Sequence, residues 1–183
     1  LASYEDQRDM FTAYCGVLIT ITSTDVLDVL HALPADLDQA RKEAVETALS
    51  LVGKVNYFWG GKSLVLGWDS RWGQLTQVWA DGSSTTGTYR PYGLDCSGFM
   101  DWIFYNLTGG EYILGRGGGA TAQHSYCAPV SQAEAQPGDL AFYPDDSHVG
   151  IVVGRREDGK LLVCHCSSGQ NAYAGPKRHL DRW

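Results

Sequence analysis

Cys96 follows Tyr92-Gly93-Leu94-Asp95 and precedes Ser97-Gly98-Phe99, so its thiol falls in the first turn of an expected helix. A thiol is only slightly ionised at neutral pH. A catalytic cysteine therefore needs an imidazole to take its proton, and it gains from the unpaired N–H groups of a helix start, which favour negative charge. Two downstream histidines can serve. His148 opens the run His148-Val149-Gly150-Ile151-Val152-Val153-Gly154, where strand alternation puts it on the face of Gly150 and Val152, small enough in part to let a helix or a substrate approach the ring. His165, in Leu161-Leu162-Val163-Cys164-His165-Cys166, shares a face with Leu161 and Val163 and points opposite to both neighbouring cysteines. If Gly154 pairs with Gly159 across a four-residue loop, residues whose numbers sum to 313 are opposite, and His148 meets His165 directly. A two-residue Asp158-Gly159 turn instead leaves the imidazoles on one face but about 13 Å apart; catalysis requires the longer loop. The chemistry is then covalent acyl transfer. Cys96 attacks a carbonyl, His148 takes and returns the proton, His165 orients the His148 ring, and backbone N–H groups at the helix start hold the oxyanion. The bland alternative is a Cys96 buried as a small hydrophobe and histidines satisfied in a core.

The elements that must position these groups follow from periodicity. Phe99, Trp102, Ile103 and Leu107 continue a helix from Cys96 until Thr108-Gly109-Gly110 ends it. Residues 140–143, 148–154 and 161–166 are short apolar runs separated by turn chemistry and read as an antiparallel meander. Upstream, Leu37, Ala40, Ala44, Val45, Ala48 and Val52 share one helical face, predicting a helix over 36–52 with Gly53 as its stop. Shorter helices are expected over 4–14 and 25–33, with 19–24 readable as strand or helix. A cysteine-bearing helix on a histidine-bearing sheet is an α+β layout. Residues 1–34 form an N-terminal helical extension and 35–183 the catalytic domain.

Bulk composition excludes several classes. The chain has 183 residues, 44% hydrophobic and 19% charged, typical of a globular domain. A net charge of −7 without a basic stripe argues against nucleic-acid binding. No run approaches the length needed to span a bilayer, and residues 15–21 are too few. The chain starts at Leu1 without a basic and then apolar leader, so it reads as a trimmed segment. Five cysteines leave at least one thiol unpaired within the chain. Cys127 with Cys164 or Cys166 could form a disulfide if the domain is exported, and the alternative of free thiols stays open.

Several motifs, in order, resemble those of the NlpC-type cell-wall cysteine peptidases. Tyr57-Phe58-Trp59-Gly60-Gly61 resembles the aromatic-Gly-Gly entry, Leu94-Asp95-Cys96-Ser97-Gly98-Phe99 the nucleophile motif, and Gln136-Pro137-Gly138-Asp139-Leu140 the structural turn. The strand from His148 resembles the base strand, and His165 stands in the place of the third polar residue. The resemblance implies a compact papain-like fold, N-terminal helices packed on an antiparallel sheet. It implies hydrolysis of peptidoglycan stem peptides at a γ-D-glutamyl to diamino acid bond, outside the cell or in its wall, by a monomer without cofactor or metal. It places the Tyr57 hydroxyl near the thiolate and Asp95 and Ser97 on the peptide's amino-side group; Asp95 is equally readable as the cap of the Cys96 helix. The departure is the long stretch 62–94, an insertion whose Trp68, Trp72, Trp79, Tyr89 and Tyr92 either pack among themselves or stack on substrate. Anchored at both ends by site motifs, it is expected to form an ordered wall of the cleft.

His124, Cys127, Cys164, His165 and Cys166 suggest zinc, but strand parity turns Cys164 and Cys166 away from His165. Gly115-Arg116-Gly117-Gly118-Gly119 lacks the Lys-Ser/Thr of a phosphate loop and reads as flexible. The rival functions are an amidase or acyltransferase using the same Cys-His pair, a non-catalytic wall-binding module, and a zinc-binding module.

Overall fold

The computed structural model describes residues 23–168 and 173–174. The helix expected over 4–14, most of the 19–24 stretch and Cys15 lie outside them. Helix α1 (Ser23–His31) and helix α2 (Gln39–Ser50) lead into a short strand β1 (Asn56–Tyr57). A hairpin of β2 (Leu75–Gln77) and β3 (Tyr89–Pro91) follows, then β4 (Gly93–Leu94) and helix α3 (Cys96–Leu107). After a 3-10 turn (Leu114–Gly117) and the short α4 (Gly119–His124), the chain forms β5 (Leu140–Phe142), β6 (Val149–Arg155), β7 (Leu161–His165) and β8 (Tyr173–Ala174), a four-stranded antiparallel sheet in that order. Helices on one face of an antiparallel sheet make the fold α+β, as the sequence implied. Among the described residues no helix is long and apolar enough to cross a membrane.

Helix α2 starts three residues later than periodicity suggests because Asp38 caps it, its carboxylate accepting from Ala40 N and Arg41 N. Its inward face is Ala44, Val45, Ala48 and Leu49; Ala40 is exposed. These residues pack with Phe99, Met100 and Ile103 of α3 and with Val149, Ile151 and Val153 of β6 in the main core. Cys164 and Cys166 project into that core, while Leu161 and Val163 join Val152 in a second cluster, so β7 alternates as its sequence parity requires. The Gln136–Leu140 turn ties α2 to the sheet. Arg41 Nη1 lies 2.6 Å from Asp139 Oδ1, and Gly138 N donates to Val152 O while Val152 N donates to Asp139 O, both at 2.8 Å.

The β6–β7 register differs from the expected one. Ile151 pairs with Cys164 and Val152 with Val163, and a bulge then shifts the ladder so that Gly154 faces Leu162 and Arg155 faces Leu161. The connection closes through Arg156 N to Lys160 O and Gly159 N to Arg156 O, both 2.9 Å. Neither the four-residue nor the two-residue loop forms, because the bulge absorbs the extra residue. The glycine run 115–119 is also no featureless loop. Gly115, at φ +63, brings its backbone against Gln123, where a Cβ would meet Gln123 N at 2.6 Å.

Gly98, in the first turn of α3, abuts the carbonyl of Gly61: a Cβ there would lie 2.1 Å from that oxygen, so the helix start must shift to admit any side chain. Gly98→Ala is expected to destabilise the protein by about 1–3 kcal/mol, read as a fall in the urea midpoint at unchanged m-value. An unchanged midpoint would show that this contact is not needed.

Candidate active site

Parallel pairing of β1 with β4 sets Asn56 beside Gly93 and Tyr57 beside Leu94, and the ladder continues through Phe58 N to Leu94 O at 3.0 Å and Asp95 N to Gly61 O at 3.1 Å. The aromatic-Gly-Gly motif is thereby held against the nucleophile motif although 62–94 separates them in sequence. Asp95 caps α3: its Oδ1 accepts from Gly98 N at 2.6 Å and from Ser97 Oγ at 2.9 Å. Cys96 follows as the first helical residue.

The Cys96 thiol is half-buried, with the backbone N–H groups of Val149 and Ser97 within hydrogen-bonding reach. Burial, and then the neighbouring Asp95 carboxylate, push its pKa up; those two N–H groups and the Lys62 ammonium pull it down, and the net direction is upward. The helix start alone therefore does not pre-form a thiolate, and a base must take the proton. Tyr57 is pushed above its ordinary range by burial first and then by Cys96 and Asp95, which keeps its hydroxyl a proton donor beside the thiol.

His148 Nε2 and His165 Nδ1 are 2.8 Å apart, their rings nearly perpendicular at 86°. The sequence paired these two histidines, but the route is different. His148 precedes β6, and Gly150 is the strand residue packed on His165: a Cβ at Gly150 would meet His165 Cβ at 3.0 Å and Val163 Cγ1 at 2.6 Å. The imidazoles are diagonal rather than opposite neighbours, and long side chains span that gap. The room left by Gly150 is filled by β7, not by a helix or a substrate. His165 is buried and His148 half-buried.

Lys62 was not anticipated. Its Nζ lies 3.2 Å from Asp95 Oδ1, 2.5 Å from Ser97 Oγ and 3.4 Å from Asp101 Oδ2. The sequence signal was Asp101 within the apolar run Phe99-Met100-Asp101-Trp102-Ile103, since a carboxylate on a buried helix face requires a partner. Gln123, fully buried, also serves this cluster, with Nε2 donating to Ser97 O and Asp101 Oδ1 at 2.8 Å each.

Aromatics of the 62–94 stretch divide. Trp72 is buried and stacks edge-on with Trp68 and Trp102, and Tyr92 donates to Lys62 O at 2.6 Å, whereas Trp79 is 74% and Tyr89 66% exposed. The hairpin borders a cavity of about 440 Å³ whose walls include Tyr57, Trp59, Val78, Ser84, Arg90 and Ser168. Tyr57 belongs both to this cavity and to the surroundings of the thiol. Cys96, Cys127, Cys164 and Cys166 are all unpaired, and among the described residues no group of three or more His, Cys, Asp or Glu is placed to hold a metal ion.

The Cys96 thiol thus starts a helix and lies against the N–H of Val149, the residue after His148, whose ring meets that of His165. The chain belongs to the NlpC/P60 family, whose model matches residues 53–173. It is 38% identical over 73 residues to the probable endopeptidase p60 of Listeria grayi, covering 38% of this chain and 13% of that protein. It is likewise 38% identical over 99 residues to a probable endopeptidase of Mycobacterium tuberculosis, covering 51% of this chain and 22% of that one. The chain thus spans less than a quarter of these relatives. Among solved structures it is similar to the peptidoglycan hydrolase RipB of Mycobacterium tuberculosis, with 22% identity, a TM-score of 0.41, and coverage of 97% of this chain and 86% of that one.

Because burial and Asp95 both oppose the thiolate, Cys96 alkylation in His148→Ala should become fast only at alkaline pH, while the wild type reacts at lower pH. Iodoacetamide rates across pH, with the labelled cysteine identified by mass spectrometry, test this; coincident profiles would remove His148 as the base.

Proposed function

We propose that this chain is a cysteine endopeptidase of the cell wall that cuts peptidoglycan stem peptides at the bond from γ-D-glutamyl to a diamino acid. The observation that carries the reading is the Cys96 thiol against Val149 N–H, next to the His148–His165 contact of 2.8 Å. Family membership supports the substrate class, and the relatives' names support endopeptidase chemistry.

In the proposed mechanism His148 Nδ1 accepts the thiol proton while its Nε2–H donates to His165 Nδ1, which fixes the ring and its tautomer. The thiolate sulfur bonds to the carbonyl carbon, and the oxyanion is held by N–H groups at the start of α3 and by the Tyr57 hydroxyl. The C–N bond then breaks as His148 returns the proton to the leaving amine, leaving a thioester on Cys96. Water, deprotonated by His148, attacks the thioester carbonyl; the C–S bond breaks and the peptide acid leaves.

Cys96→Ala is expected to fold and to release no product from purified stem peptides, and His148→Ala to lose about 10²–10⁴-fold in kcat. His165→Gln should retain measurable turnover, because an amide oxygen still accepts the His148 N–H. Mass spectrometry of the products identifies the bond cut, and wild-type turnover in Cys96→Ala would falsify the mechanism.

The β2–β3 hairpin supplies one wall of the substrate cleft. Replacing only residues 76–88 with a short Gly-Ser linker leaves Trp72 in the core. It should raise KM across a stem-peptide panel about tenfold with little change in melting temperature. Kinetic constants identical to wild type across the panel would exclude the hairpin from substrate binding.

A further inference from the structure

The Asp101 side chain is 2% exposed and that of Asp95 11%, so two carboxylates are largely withdrawn from water immediately beside the nucleophile. Carboxylates so placed need a cation. Burial drives the Asp101 pKa up, and Lys62, together with Gln123, opposes that. An ammonium has three protons, and Asp95 Oδ1, Ser97 Oγ and Asp101 Oδ2 provide three acceptors at 3.2, 2.5 and 3.4 Å. The Lys62 stem lies over the helix start, since a Cβ on Gly98 would meet its Cδ at 3.0 Å. Its side chain is 34% exposed, so the head group closes the cluster from the solvent side.

We propose that Lys62 fills, from within the chain, the ammonium position of the Asp95–Ser97–Asp101 cluster beside Cys96, so that the enzyme selects peptides whose amino-side group is an amide over those ending in a free amine. The proposal rests on the stem-peptide endopeptidase reading. A substrate ammonium brought to this cluster meets the like charge of Lys62 across a short, poorly hydrated gap. A neutral amide that passes beside the filled cluster carries no such penalty. Lys62 is thereby a specificity-determining residue that acts by occupying a position a substrate would otherwise use.

The test compares kcat/KM on a stem tripeptide with a free amino end and on its N-acetylated form, for wild type, Lys62→Met and Lys62→Arg. Wild type and Lys62→Arg should favour the acetylated peptide. Lys62→Met should shift the ratio toward the free amine by about tenfold or more. A wild-type preference for the free amine, or an unchanged ratio in active Lys62→Met, overturns the proposal. Should Lys62→Met fail to fold, Lys62→Met/Asp101→Asn removes the buried charge together with its partner and carries the same comparison.

A substrate-free arm separates this from the peptidase reading. In Lys62→Ala, added propylammonium should raise both the melting temperature and the Cys96 alkylation rate, with no effect on wild type; no response in the variant overturns the ammonium position. If wild type cuts neither peptide, the endopeptidase reading and with it the substrate preference fail, while the propylammonium response still decides whether the cluster holds an ammonium.

Discussion

The first turn of α3 rests on the carbonyl of Gly61, and that contact governs where Cys96 stands. Asp95 N donates to Gly61 O, Gly98 has no Cβ to push the same oxygen away, and the Asp95 carboxylate turns back onto Gly98 N. The helix start is thus clamped to the β1–β4 ladder. Its rotation is set one turn further on, where Phe99, Met100 and Ile103 are fully buried against α2 and β6. Those two constraints leave Cys96 pointing at the N–H of Val149, the residue after His148. A Cβ at Gly98 would meet the Gly61 carbonyl oxygen at 2.1 Å, so glycine at this position lets the helix start sit where it does.

Such a clamp has an electrostatic consequence. Burial and the capping carboxylate both disfavour the thiolate, while two backbone N–H groups and Lys62 favour it. The same Asp95 that orders the helix therefore works against ionisation of the nucleophile, and Lys62 offsets that charge where it stands. Tyr57 remains a neutral donor in this field. The resting site therefore keeps its proton on sulfur. Cys164 and Cys166, on the core face of β7 and under greater burial, lie far from that regime. Their raised pKa values keep them thiols.

Much of this was legible in the sequence because it depends on local periodicity. The helix from Cys96, the antiparallel strands and the opposite facing of His165 and its flanking cysteines all follow from 3.6- and 2-residue patterns, which tertiary contacts here reinforce. The hairpin register was not legible. A bulge between Val152 and Gly154 changes the pairing by one residue, and nothing in a run of Val-Val-Gly announces it. The histidines nevertheless meet because both side chains are long and Gly150 lets the strands close between them, so the correct partners were found through the wrong register. Lys62 was missed for another reason. Its partners are distant in sequence and are brought together by the β1–β4 pairing, a parallel contact of only two residues that no hydrophobic pattern marks.

That same short pairing accommodates the long 62–94 stretch between its two strands. The cost of closing a flexible loop rises only logarithmically with its length, so a long excursion between two paired strands costs little more than a short one. Closure alone, however, would leave the excursion mobile above the cleft. Here it is fixed at several points. Ser63 Oγ donates to Asp69 Oδ2 at 2.8 Å, Arg71 holds the same carboxylate at 2.6 Å, and Trp72 enters the core between Trp68 and Trp102. Near the hairpin tip, Trp59 Nε1 donates to Asp81 O at 2.8 Å, joining the insertion to the aromatic-Gly-Gly motif itself. The exposed rings of Trp79 and Tyr89 are then carried on a rigid support, and the cavity between hairpin and Tyr57 has a fixed shape. A stretch built this way joins the cleft wall to the helix of Cys96 itself, because Trp72 packs on Trp102 and Trp102 Nε1 donates to Gly67 O at 3.1 Å.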